Sequence, residues 1–305
     1  ARPWDLTGSL QVMAGLILCA YALKELGRAS TSWLHAGLAC AAGVAMLTVF
    51  VRRQRRRPYP LIDFAIFRNA TFSSGVAAAL FAGAALLGLE LVFSQRLQLV
   101  LGMSPIQAAL FILPLPLAAF VAGPVAGWLL AYVRGPRLMF LSLAVSAAGM
   151  GAYLLCYDGA VLPQMVSLSV LGLGIGATMT AASSSIMQSA TPERAGMAAS
   201  IEEVSYELGG ALGVTLMGSI LSGVYANTLD VPPALAAAPA LRDSLDEALI
   251  VAEGLPTDLA ATLTELARTA FDTGYAAVIA TATVMLVATA AFVLLNRSRR
   301  QAVAA

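Results

Sequence analysis

Four carboxylates stand inside long apolar stretches, where they are the residues best placed to do chemistry. Glu202, Glu203 and Glu207 occur in AASIEEVSYELGGALG, and Glu90 occurs in GLELVFSQ. Carrying a charge into a bilayer centre is costly, so an ionisable residue there is a functional candidate by default. At about 100° per residue, Glu203 and Glu207 are one helical turn apart on a shared face, and Glu202 is turned roughly 100° aside. Thr191-Pro192 predicts the start of their helix, which puts the pair roughly 15 Å along it at ~1.5 Å per residue. Two carboxylates so close in a low dielectric do not both ionise cheaply. One of them is expected to hold a proton at neutral pH and to exchange it for an organic cation. The competing role, a carboxylate locked to a buried Arg or to backbone, lacks partners, because the apolar stretches hold almost no Arg or Lys. Glu90 has two further options, snorkelling towards the interface or pairing with Arg96.

Other chemistry-bearing types are weaker. Gly172, Gly174 and Gly176 form GxGxG, but a nucleotide loop needs a preceding strand, and close helix packing explains them. Ser183, Ser184 and Ser185 have no base within reach, since the single His, His35, stands at the far edge of another apolar stretch. Cys19, Cys40 and Cys156 occur singly, without disulfide or metal spacing. An enzyme is therefore not expected, nor is a bound cofactor; a proton gradient would be the energy source.

The elements that must position these residues follow from composition. Of 305 residues, 59% are hydrophobic and 11% charged, against about 25% charged in a soluble domain. Apolar blocks of roughly 20 residues are long enough to cross a bilayer as helices, and nothing alternates as barrel strands do. The expected fold class is an all-α polytopic membrane protein with eight transmembrane helices. They fall near 9–26, 33–51, 70–93, 105–131, 138–156, 163–187, 197–224 and 273–295. Pro114 and Pro116 predict a kink in the fourth. A net charge of +1 points to no polyanionic partner, and so to no nucleic acid.

Orientation follows the Arg and Lys distribution. The run Arg52, Arg53, Arg55, Arg56 and Arg57 marks a cytoplasmic linker. Arg134, Arg137, Arg194 and the tail Arg297, Arg299 and Arg300 then lie on the same side, with both chain ends. Lys24, Arg28, Arg96, Arg242 and Arg268 fall outside. The expected organisation is 1–57, two helices with the basic linker; 58–224, the first five helices of a six-helix bundle; 225–272, an external acidic segment; and 273–305, the last helix and basic tail. Within the external segment, 240–253 and 257–271 have helical Leu and Ala spacing, and Gly254-Leu255-Pro256 reads as a turn. The polar opening ARPWDLTG suggests a piece of a longer protein.

Three stretches carry a family resemblance: PLIDFAIFRNATF, QRLQLVLGMSPIQAALFILP and SATPERAGMAASIEEVSYELGGALGVTLMGSIL. Through them the chain resembles the C-terminal part of a fourteen-helix drug:proton antiporter of the major facilitator superfamily, the branch that includes the QacA and SmvA exporters. The resemblance implies that the eight spans are helices seven to fourteen, spans three to eight being the C-terminal bundle. It implies a missing N-terminal six-helix part. It sets Glu202, Glu203 and Glu207 on the acidic cluster of cation exporters. In GWLLAYVRGPR it assigns Arg134, Gly135 and Arg137 to a gating loop that here lacks the family's Asp. The expected function is proton-coupled export of lipophilic cations (quaternary ammonium biocides, dyes, viologens) across a bacterial inner membrane. Glu203 and Glu207 would bind cation and proton in turn, with Glu202 or Glu90 as a further carboxylate and Tyr206, Phe93 and Met103 as apolar and cation–π contacts. The alternatives are export of another metabolite by the same fold and a fragment that does not transport.

Overall fold

A computed structural model describes residues 5–26, 32–57, 60–231, 235 and 239–304. The side chains of Lys24, Arg28, Arg297, Arg299 and Arg300, used above for orientation, lie outside those described. The described residues are all-helical: α1 (Leu6–Leu26), α2 (Trp33–Gln54), α3 (Ala70–Gln95), α4 (Pro105–Ile112), α5 (Pro114–Leu129), α6 (Gly135–Cys156), α7 (Val161–Gln188), α8 (Ala195–Thr228), α9 (Leu245–Glu253) and α10 (Thr257–Ala304). Among the described residues seven helical spans are long and apolar enough to cross a membrane, α4 and α5 counting together as one. Eight were expected. The difference is α1, whose described apolar stretch, Leu6–Ala22, is shorter than the rest.

Local sequence explains the boundaries. The Asn69 side chain accepts from Thr71 N–H to open α3. Ser104 and Gln107 form a reciprocal capping box, with Pro105 in the first turn of α4. Pro114 has no N–H to give the preceding turn, so the fourth span breaks at Leu113 and continues as α5. Thr191 stands at the cap position before Pro192, without a side-chain cap bond, and a 3-10 turn (Pro192–Arg194) leads into α8.

The last helix differs from expectation. It begins at Thr257 rather than near 273 and runs unbroken to Ala304. Its polar residues 258, 265, 268 and 272 leave Leu263, Ala267, Ala270 and Phe271 as a buried stripe, and nothing after Pro256 breaks the helix. Leu245, Ala248 and Ala252 of α9 are buried with that stripe in one core.

Glycines set the closest helix contacts. An added Cβ at Gly209 would run into the Leu80 carbonyl, and one at Gly213 into that of Ala84. Paired residues rise together along α3 and α8, so the two run parallel. Gly172 and Gly176 meet Leu115 and Ala119 in the same parallel sense, joining α7 to α5. Gly149 and Gly174 bring α6 and α7 together antiparallel, at Leu171 and Ser146. The two helices α1 and α2 pack mainly on each other, and α1 also touches α8.

The linker is tied at both ends. Asp5 is almost fully buried and accepts from Gly8 N–H (3.0 Å), Arg53 (3.0 Å) and the Gln54 amide (3.1 Å). Arg57 completes its ion pairs at 3.0 Å. Desolvation pushes the Asp5 carboxyl up. The Gly8 and Gln54 hydrogen bonds, with the guanidiniums of Arg53 and Arg57, outweigh this and hold it below the usual carboxylate value. Leu61 N–H donates to Gln54 (2.6 Å), and Arg194, just before α8, donates to Asp63. The basic run is therefore partly a clamp on the start of α1, a role its sequence did not announce.

Candidate functional site

Helix α8 turns Ala198, Ile201, Ser205, Gly209 and Gly213 inward, against the bundle. Ala199, Glu203, Glu207 and Ala211 stand on its exposed face, and Glu202 is half-buried between the two faces. A carboxylate pair thus shares an open face with Ala199 and Ala211. Glu90 is also exposed. Among the described residues, none of these four carboxylates has a hydrogen bond or ion pair.

Tyr206, beside Glu207 on α8, packs against α3. Its ring lies over Gly83 of α3, where a Cβ would come within 3.1 Å of a ring carbon. Parallel packing of α3 on α8, at Gly83, Gly209 and Gly213, sets Glu90 on the helix that adjoins the carboxylate-bearing one.

Glu90 also lines a cavity of about 320 Å³ between α3, the α4–α5 break and α7. Its other walls are apolar, among them Phe93, Leu115, Pro116, Phe120 and Ile175. Pro116 and Phe120 follow the Pro114 break, so the kink shapes one wall. Phe93 is buried and presents its ring edge to Tyr153 at 5.0 Å. Met103 lies elsewhere, half-buried after the turn at Gly102 (φ 65°), and does not line this cavity. Arg134 and Arg137 are exposed at the start of α6. Between them Gly135 packs so tightly that a Cβ would sit 2.6 Å from the buried Ser185 hydroxyl.

Arg96 does not pair with Glu90. At about 100° per residue, six residues leave the two side chains roughly 120° apart around the helix, and Arg96 turns inward to 1% exposure. A π-helical turn (Arg96–Val100) follows α3 there. The guanidinium donates from Nε to Asp272 at 2.7 Å and from Nη1 to the Tyr157 carbonyl at 3.0 Å. Asp158 lies 3.5 Å from Nη2. The rings of Tyr157 and Tyr275 flank it at 4.9 and 5.0 Å. Sequence reasoning set Arg96 among solvated external charges and missed this knot. Two helical spacings pointed to it: Tyr153 with Tyr157, and Asp272 with Tyr275.

Comparison with known proteins turns this geometry into a family assignment. The sequence pattern of the Major Facilitator Superfamily matches residues 4–214. The chain belongs to this superfamily. It is a multi-pass membrane protein of a transporter family rather than an enzyme family. The multidrug efflux pump LfrA of Mycolicibacterium smegmatis is 33% identical over 274 residues, 85% of this chain and 53% of the pump. The methyl viologen resistance protein SmvA of Salmonella typhimurium is 30% identical over 295 residues, 93% of this chain and 58% of that protein. The chain therefore spans a little over half the length of these relatives. A solved bacterial homologue of the human lysosomal transporter Spinster, inward-facing and occupied, aligns with a TM-score of 0.58 at 18% identity. It covers 94% of this chain and 67% of that one, which shows a shared fold.

Proposed function

We propose that this chain is the carboxylate-bearing part of a proton-coupled exporter of lipophilic organic cations. The observation that carries the reading is the exposed Glu203–Glu207 pair on α8, which, like Glu90 on the adjoining α3, has no hydrogen bond or ion pair among the described residues. Uncompensated carboxylates in an apolar setting are costly. Protons and cationic cargo, taken in turn, relieve that cost, and competition between them is the coupling. The apolar cavity beside Glu90 accommodates the lipophilic part of the cargo, and Phe93 and Tyr206 supply aromatic surface. Two relatives support the reading by name, one as a multidrug efflux pump and one for resistance to methyl viologen, itself a dication.

The rest of the assembly belongs to the same proposal. Spans three to eight are the C-terminal bundle of a fourteen-helix protein, and α1 and α2 are its seventh and eighth helices. The preceding six helices supply the facing half of the cavity, and Arg134, Gly135 and Arg137 form a gating loop towards them. The Arg distribution supports a bacterial inner-membrane location with both chain ends cytoplasmic. The test is efflux of ethidium and of methyl viologen from vesicles by the complete protein carrying Glu203→Gln and Glu207→Gln. Export and proton coupling should both be lost. Retention of both would overturn the assignment.

A further inference from the structure

The knot around Arg96 places a full positive charge beside the proposed cation cavity. Arg96 stacks on Tyr275 at 5.0 Å, and Tyr275 packs on Phe93 at 5.8 Å. Phe93 in turn is a wall of the Glu90 cavity. One ring therefore separates the guanidinium from the cavity wall. The Arg96 side chain is itself buried, at 1% exposure. Its compensation comes from Asp272, which holds it with two oxygens at 2.7 and 3.4 Å. Asp158 is a weaker partner at 3.5 Å and 83% exposed.

We infer that Asp272 is a specificity-determining residue: by neutralising Arg96 it keeps the adjacent cavity open to cations. The inference rests on the proposed cation site at Glu90. Asp272 touches no cargo; it acts through Arg96. A unit charge about 10 Å away, at an effective dielectric of about 20, changes a cation's affinity by roughly tenfold. Removing Asp272 exposes the cavity to that repulsion, whereas removing Arg96 leaves a residual attraction. The two halves of one ion pair thus act with opposite sign on a cation, and neither acts on a neutral ligand. A knot that only braces the helices does the reverse, since breaking it from either side weakens every ligand alike.

The experiment measures binding of tetraphenylphosphonium and of uncharged triphenylphosphine oxide to the complete protein in detergent micelles, by equilibrium dialysis. Asp272→Asn should weaken the cation roughly tenfold and leave the neutral ligand unchanged. Arg96→Met should bind the cation at least as tightly as the unaltered chain. The double variant Arg96→Met/Asp272→Asn should return to within about twofold of it, because both charges are gone. That variant keeps the test decisive if Asp272→Asn alone folds poorly. Parallel losses for both ligands in all three variants would overturn the inference. A Glu90→Gln arm separates the two levels. No loss of cation binding there refutes the underlying site, whereas loss there with unchanged binding in Asp272→Asn refutes this inference alone.

Discussion

Substitution of Gly213 by Ala tests whether the carboxylate-bearing helix is held by a glycine seam. The added Cβ meets the Ala84 carbonyl, and at Gly209 it meets that of Leu80. A backbone atom has no rotamer to yield, so α8 must move away from α3. Overpacking of this kind costs about 1–3 kcal/mol. For a chain of this size each kcal/mol lowers the melting temperature by roughly 2–4 °C. Gly213→Ala and Gly209→Ala should therefore each lose about 2–12 °C. The double variant need not be additive, because the sites share a seam. Gly223→Ala is the control: it lies on the same helix with nothing within 4 Å of its Cβ. It should be neutral or gain about 0.4–1 kcal/mol. The assay is the temperature at which half the protein remains monodisperse in detergent. Equal shifts at Gly213 and Gly223 would refute the seam and, with it, the close parallel packing of α8 on α3.

Two further outcomes follow from the clamps. The Asp5 carboxyl is held below its usual value of 3.8, so the stabilisation it confers is complete above that value and is lost as pH falls through the depressed one. The Gly8 amide, which donates to Asp5, should be protected from hydrogen exchange at pH 7 and less protected on acidification; Asp5→Ala, which removes the acceptor, should expose it at both, and unchanged protection would contradict the clamp. Ser104→Ala removes the capping box of α4 and should cost about 1 kcal/mol, read as a drop of a few degrees in the same melting assay; no change would show that Pro105 alone starts the helix.

The helices themselves were legible because a bilayer demands continuous apolar blocks and because their ends carry local chemistry. The Pro114 break and the turn at Gly254–Pro256 are set by residues within one turn of the event. The face shared by Glu203 and Glu207 is likewise a local consequence of helical spacing. Pairings between distant segments were not legible. Arg96 and Asp272 are 176 residues apart, and a charge at the end of an apolar block looks solvated until the tertiary partner is known. Asp5 and Arg53 are 48 apart, and a basic run reads as a membrane-side signal whether or not one of its members is buried. The start of α10 was misplaced for a related reason, since polar residues in a helix mark one face and need not mark its end.

Proton release on cation binding tests the central claim most directly. With the complete protein in weakly buffered detergent near pH 7, addition of tetraphenylphosphonium should release protons as the cation displaces them. The Glu203→Gln/Glu207→Gln variant should bind weakly and release none. Undiminished binding with unchanged proton release in that variant would contradict the account.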